Sequence, residues 1–503
     1  MATVELLDTT LRDGEQTSGV SFSPEEKLQV TRSLLEDVKI DRIEVASARV
    51  SEGELEAVRR IVQWAQTRGL VNRIEVLCFL DGTESIDWAH SAGIKTVNLL
   101  TKGSLKHLEG QLRKKPEEHI ADIKRGLQYV HQKGMQANIY LEDWSNGMVQ
   151  SVEYVHLLIR SLQNEGFLRF MLPDTLGVLT PDQSYAFCKE MVETYPAVHF
   201  DFHAHNDYDL AVANTLAAVR AGVKGVHATI NGLGERAGNA PIASVMAVLK
   251  DHLKIPLNAN EEKITRISKL VESFSGVRIP ANKPIVGENV FTQACGVHAD
   301  GDSKNNLYYN DLLPERFGRI RKYALGKTSG KSNILKNLEE LDIQLDPEIM
   351  KKVTRRVVEL GDRKENVTAE DLPYIIADVL HNESVTQRIR VVNYALTVAE
   401  GLKSSATLMI EIEGQHFQET SSGDGQYDAF MNALHQIYAR LGKSLPRLAD
   451  YEVTIPPGGK TDALVETVIT WSFHNKEFKS RGLDPDQTVA AIKATVKMLN
   501  IIA

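Results

Sequence analysis

The chain has 503 residues, 42% hydrophobic and 25% charged, long enough for two or three domains and a large core without disulfides. Its net charge of −9 and scattered basic residues exclude the basic face that nucleic acid or an anionic membrane needs. No run approaches the roughly 20 apolar residues of a membrane span, no signal-peptide pattern opens the chain, and Cys78, Cys188 and Cys295 form no CxxC pair, so a reducing, cytoplasmic setting is expected.

Residues 1–270 alternate short β-rich runs with amphipathic stretches. Strands are expected at 4–7, 42–46, 74–79, 96–100, 137–141, 168–172, 198–202 and 225–230. Between them, residues 118–131 place Ile120, Ile123, Leu127 and Val130 at steps of three, four and three, which predicts a helix. Ser23-Pro24-Glu25-Glu26 and Thr180-Pro181-Asp182-Gln183 read as capping boxes with proline at the first helical position. Eight such units in about 270 residues predict an α/β fold, a (β/α)8 TIM barrel, with a doubly wound sheet as the alternative.

Residues 271–386 read as a connector. It is loop-rich around Pro280, Pro284 and Pro314, then helical where Ile349, Val353 and Val357 recur at steps of four and again at 372–380. Residues 387–503 change pattern once more. Strands are expected at 389–399 and 406–412, a helix at 427–441, strands at 451–455 and 465–473, and a last helix opening at Asp484-Pro485-Asp486-Gln487. Two strand–strand–helix units predict a small α+β module.

In a barrel of this kind chemistry sits at the C-terminal ends of the strands. The first ends in Asp8-Thr9-Thr10-Leu11-Arg12-Asp13-Gly14-Glu15-Gln16, the fifth in Tyr140-Leu141-Glu142-Asp143, and the sixth in Pro173-Asp174-Thr175. The seventh ends in His203-Ala204-His205-Asn206-Asp207, and the eighth leads to Asn231-Gly232-Leu233-Gly234-Glu235-Arg236-Ala237-Gly238-Asn239. Residues i and i+2 of a strand face one side, so His203 and His205 can reach a single ion. Asp13 can add a carboxylate and Asn239 a carbonyl oxygen, a set that accepts Mn, Mg, Zn or Co. A pair of hydrogen-bonded structural histidines is the alternative. Arg12 is either a salt-bridged surface residue or a cation placed to neutralise a carboxylate or developing alkoxide. The glycine-rich run at 232–238 is a tight loop or a phosphate cradle, and not a dinucleotide fingerprint.

Together the 8–16, 203–207 and 231–239 segments resemble the signatures of the barrel metallo-enzymes that condense acetyl-CoA with 2-keto acids. These are the isopropylmalate, homocitrate and citramalate synthases, with 3-hydroxy-3-methylglutaryl-CoA lyase as a relative. The connector and C-terminal module extend the resemblance over essentially the whole chain, as catalytic barrel 1–270, flexible linker 271–386 and regulatory domain 387–503. It implies an acyltransferase that converts acyl to alkyl on transfer, with Asp13, His203, His205 and Asn239 on a divalent metal. Arg12, Tyr140 and Thr175 would hold the keto acid and Glu142 would donate a proton. His298, in Gly296-Val297-His298-Ala299-Asp300-Gly301, would act as base, and Asp300, Asn306, Leu307 and Tyr308 would hold acetyl-CoA.

Within the group the resemblance is strongest to the citramalate-forming, isoleucine-regulated members. Leu77, Leu100 and Tyr140 match their side-chain pocket. Three bulky groups there leave space for a methyl but crowd an isopropyl, so pyruvate is expected over 2-ketoisovalerate, with ordinary barrel packing as the plainer explanation. Tyr427, Asp428, Leu448, Tyr451, Ile455, Thr461, Val465, Pro485 and Gln487 match the isoleucine pocket, although Ile455 and Val465 also alternate like core residues, and Pro485 and Gln487 also suit a helix start. Ser480-Arg481-Gly482-Leu483-Asp484 lacks the glycine-rich effector loop of the leucine-controlled enzymes. Because His298 lies outside the barrel, a homodimer is the expected assembly. The expected product is citramalate, on a threonine-independent route to isoleucine. Isopropylmalate synthase is the alternative, and a non-catalytic amino-acid-binding protein the third.

Overall fold

The computed structural model describes residues 4–304, 306–341, 343–362, 367, 369–380, 388–454, 465–474 and 476–502. Strands β1 (Glu5–Asp8), β2 (Arg42–Ser47), β3 (Ile74–Phe79), β4 (Thr96–Lys102), β5 (Gln136–Glu142), β6 (Phe170–Asp174), β7 (Phe200–Ala204) and β8 (Gly225–Ala228) pair in chain order. All are parallel, and β1 pairs with β8 to close the barrel. Strands β6 to β8 are buried at every position, as parallel strands covered on both faces must be. Ser23 with Glu26 and Thr180 with Gln183 form the reciprocal caps that the sequence predicts.

Strands β6 and β7 begin two residues later than the apolar pattern suggests. Leu168 lies exposed on a bend, and the Val198 N–H closes a turn onto the Tyr195 carbonyl. An apolar side chain at a strand entrance carries the same local signal as one inside the strand.

The barrel interior is more polar than the usual layers of branched apolar side chains. Toward the start of the strands, Arg42 contacts Glu75 at 3.0 Å, Asp201 at 2.5 Å and Glu5 at 3.0 Å. The Asp201 carboxylate packs directly against Gly225, where any Cβ would overlap it.

The chain divides into two compact units, Met1–Gln293 with Asp300–Tyr323, and Ala294–Ala299 with Ala324–Ala503. The first adds a short parallel pair, β9 (Thr292–Gln293) and β10 (Lys322–Tyr323), to the barrel. In the second, helices Lys331–Glu340, Pro347–Asp362 and Leu372–Leu380 pack around Ile334, Val353, Val357 and Leu372. Two antiparallel sheets follow. One is β11 (Ile389–Thr397), β12 (Ser404–Ile412) and β13 (Gln415–Gly423), and the other is β14 (Arg447–Thr454), β15 (Val465–Phe473) and β16 (Lys476–Asp484). Helices Gln426–Arg440 and Gln487–Ile502 cover them over a shared core that includes Leu408, Phe430, Trp471 and Met498.

Each repeat is therefore strand–strand–strand–helix, and the expected two-strand units each lack their third strand. Phe417 is the only large apolar residue of β13, an edge strand, so backbone pairing rather than side-chain patterning creates it. The hairpin before it turns on Glu413 and Gly414, both at positive φ, as a two-residue primed turn requires. Among the described residues no helix is long and apolar enough to cross a membrane.

Candidate active site

The loop after β1 is wound around one acceptor. The Thr9 carbonyl accepts from the N–H groups of Arg12, Asp13 and Gly14 at 3.2, 2.8 and 3.1 Å, which turns Asp13 toward the end of β7. Thr10 Oγ1 accepts from the Ile230 N–H at 2.8 Å and donates to Asp8 at 2.9 Å, tying this loop to the one after β8. The glycine-rich run there is a tight loop. The Asn239 N–H bonds the Gly232 carbonyl at 3.1 Å, and Gly234, at positive φ, lies so close to the Asn239 side chain that no Cβ fits.

Asp13, His203 and His205 form a buried group whose ligand atoms all lie within 4.8 Å of one another. His203 Nε2 is 3.1 Å and His205 Nε2 3.9 Å from Asp13 Oδ2, and the two Nε2 atoms are 3.3 Å apart. Burial, followed by His203, pushes His205 down to about 4, and burial also lowers His203, so both imidazoles are neutral at pH 7. Burial opposes the charge on Asp13, but Arg12, His203 and His205 outweigh it and hold the carboxylate well below its usual range. Asn239 is the bridge partner of His205. Its Nδ2 donates to the Leu233 carbonyl at 3.0 Å, and its Oδ1 is buried without a hydrogen-bond partner among the described residues. Two neutral imidazoles, an ionised carboxylate and an orphaned amide oxygen fit a divalent cation.

Arg12 is anchored on the adjoining side. Its Nε lies 2.5 Å from Glu44, Nη1 3.5 Å from Asp13, and Nη2 donates to the Tyr140 hydroxyl at 3.3 Å. Glu44 in turn accepts from Asn98 at 2.7 Å, and Asn98 from Asn138 at 2.8 Å. Tyr140 joins Leu77, Leu7 and Met171 in a small apolar cluster apart from the main core, with Leu100 packed against it. Thr175 Oγ1 accepts the Asp143 N–H at 2.8 Å, leaving its own proton to donate, and its carbonyl is held by Arg236 at 2.8 Å. Glu142 pairs with Lys102, its register partner on β4. A groove lined by Phe79, Leu80, Leu100, Lys102, Lys114, His119 and Glu142 opens beside that pair.

Sequence reasoning missed Glu44, Lys102, Leu7, Met171, Asp201 and His227. The available signal was a charged or polar residue at an interior position of a barrel strand, such as Glu44 between Ile43 and Val45.

The remaining expected residues are on other elements of the chain. His298 is on helix Gly296–Ser303 and belongs to the second unit, whereas the triad belongs to the first. Asp300, on that helix, pairs with Lys304 just past its end at 2.6 Å, and the turn that follows carries Asn306 at positive φ with exposed Leu307 and Tyr308. In the C-terminal module, Tyr427 meets the Tyr451 ring at 5.6 Å and the Thr495 hydroxyl at 2.7 Å. Asp428 accepts the Asp424 N–H at 2.9 Å and Leu448 is exposed on β14. Val465 opens β15, and Gln487, two residues after Pro485, opens the final helix. Ile455 and Thr461 lie outside the described residues.

Comparison with known proteins matches residues 3–271 to the HMGL-like family, 285–365 to the homocitrate synthase post-HMGL domain-like family, and 366–503 to the LeuA allosteric (dimerisation) domain. The (R)-citramalate synthase of Methanocaldococcus jannaschii is 32% identical, covering 99% of this chain and 99% of the relative. The 2-isopropylmalate synthase of the same organism is also 32% identical, covering 99% of this chain and 94% of the relative. Equal likeness to two enzymes named for different products defines the reaction class and not the keto acid. With a barrel, a buried His-His-Asp group and matches along its whole length, the chain belongs to the HMGL-like family and, within it, to the isopropylmalate, homocitrate and citramalate synthases, which condense acetyl-CoA with a 2-keto acid.

Proposed function

We propose that the chain is an (R)-citramalate synthase, condensing acetyl-CoA with pyruvate to (R)-citramalate and coenzyme A under feedback control by isoleucine. The observation that carries this reading is the cluster of Leu7, Leu77, Leu100, Tyr140 and Met171 beside Arg12. Such a wall admits a methyl and crowds an isopropyl, a discrimination worth about 1–3 kcal/mol for each methylene.

When bound by Asp13, His203, His205 and Asn239, a divalent ion (Mn, Mg, Zn or Co) supplies Lewis acidity toward the carbonyl and carboxylate oxygens of the keto acid. Arg12, fixed by Glu44, neutralises the alkoxide that forms when the acetyl carbon attacks. The free proton of Thr175 Oγ1 donates to the substrate carboxylate. His298 removes a proton from the acetyl methyl, Glu142 donates one, and water hydrolyses the thioester to release coenzyme A. Asp300, Asn306, Leu307 and Tyr308 hold the acetyl-CoA. The domains in this reading are a catalytic barrel at 1–270, a connector at 271–386 and an effector module at 387–503, in a cytoplasmic homodimer. Similarity to the LeuA allosteric (dimerisation) domain supports the dimer and the effector site around Tyr427 and Tyr451.

A coenzyme A release assay with pyruvate, 2-ketobutyrate, 2-ketoisovalerate and 2-ketoglutarate tests the reading. Pyruvate should give the highest kcat/KM, and a preference for 2-ketoisovalerate would establish the isopropylmalate reading that the second relative favours. Isothermal titration should give heat with isoleucine and none with leucine. No heat with either removes the regulatory part.

A further inference from the structure

We propose that His227, held by Asp201, is a positioning residue that fixes Tyr140 and thereby sets the selectivity of the keto-acid pocket. The inference rests on the reading above that Tyr140 lines this pocket. The Tyr140 hydroxyl lies 3.0 Å from His227 Nδ1, and His227 Nε2 lies 3.2 Å from Asp201 Oδ2. The Tyr140 and His227 rings meet edge-on at 5.5 Å, and Tyr140, His227 and Asp201 are 3%, 1% and 0% exposed.

The direction of these bonds follows from the partners. Arg42 lies 2.5 Å from the same Asp201 oxygen, and His199 Nε2 lies 3.0 Å from the other. A guanidinium can only donate, so the Asp201 oxygen that Arg42 shares with His227 is an acceptor. His227 must meet that acceptor with an N–H, so the proton of His227 sits on Nε2 and leaves Nδ1 as an acceptor. Tyr140 must then donate to Nδ1, which leaves its oxygen lone pairs for Arg12 Nη2 at 3.3 Å. The result is one chain of donors, from Arg12 through Tyr140 and His227 to Asp201. The opposite tautomer would set the Asp201 oxygen against a lone pair.

A histidine that merely satisfied its own burial would not need this placement. Interior barrel positions are ordinarily apolar at no cost. Here a buried ion pair, a glycine that makes room for it and a single tautomer converge on the one side chain shared by Arg12 and the apolar wall. A tyrosine ring tethered at its far end cannot swing aside for a larger keto acid.

The test compares kcat/KM for pyruvate and 2-ketobutyrate in the full-length enzyme and its His227→Leu, His227→Asn, His227→Gln and Tyr140→Phe variants. Loss of the tether in His227→Leu should narrow the pyruvate preference about tenfold. His227→Asn keeps an acceptor near Nδ1 and should restore most of it. His227→Gln keeps a polar group toward Asp201 but no acceptor near Nδ1, and should repeat the loss. In the Tyr140→Phe background, His227→Leu should have no further effect on selectivity. A uniform fall for both substrates that persists in that background would overturn the proposal, leaving His227 a structural residue. If His227→Leu does not fold, the polar pair His227→Asn and His227→Gln decides: retained selectivity in the first and loss in the second is expected, and equal behaviour of the two overturns the proposal. If the wild type prefers another keto acid, the citramalate reading fails separately, and the coupling between positions 140 and 227 is read on that acid and its next larger homologue.

Discussion

Arg12 divides its donors among Glu44, Asp13 and Tyr140, so its guanidinium is oriented before substrate arrives. A lysine has neither the fork nor the reach to keep three partners. Arg12→Lys should therefore lower kcat by about 100-fold or more, the usual effect of removing a preorganised donor to a developing oxyanion. Asp8 offers a second residue-scale test. Burial pushes its carboxyl up to about 7, against two hydrogen bonds from Thr10. Its folded value lies above the unfolded one, so its contribution is complete below about 4 and is lost as pH rises through 7. Asp8→Asn removes that loss, and its Tm relative to wild type should rise between pH 5 and pH 8 in scanning calorimetry.

Helix Pro24–Arg32 does more than cover the barrel. Its Lys27 is fully buried and pairs with Glu15 at 2.7 Å and Glu54 at 2.6 Å. Its ammonium also donates to the Leu11 and Val45 carbonyls at 3.0 and 3.2 Å, the backbone neighbours of Arg12 and Glu44. Lys27→Met would strand a buried carboxylate and free both segments. A loss of about 3–5 kcal/mol in denaturant unfolding is expected. The capping boxes of this helix and of Pro181–Thr194 were legible because a cap is a local, four-residue device. Strands β13 and β16 were not legible, because edge strands rich in polar residues are made by pairing with β12 and β15.

At the scale of the molecule, two compact units with separate cores should melt as two calorimetric transitions. Asp13, His203 and His205 all lie in the first unit. Adding Mn²⁺ to chelator-treated protein at a concentration of 100 Kd should therefore stabilise that transition by about 2.7 kcal/mol and leave the other unchanged. His205→Ala should abolish the shift and reduce bound metal, measured by elemental analysis.

The sequence by itself determined the eightfold alternation, the capped helices and the motifs at strand ends, since each is written in neighbouring residues and their periodicity. It also names Asp13, His203, His205 and Asn239 together, through the i, i+2 spacing of the histidines and the family resemblance of the motifs. Only the tertiary structure decided what surrounds them. Arg12 and Tyr140 are 128 positions apart, and Tyr140 and His227 are 87 apart. Closing the barrel brings such residues into one dry interior, where a polar side chain needs a partner from a distant strand. Local patterning carries no record of that partner, because pairing across a barrel depends on strand register and not on sequence spacing.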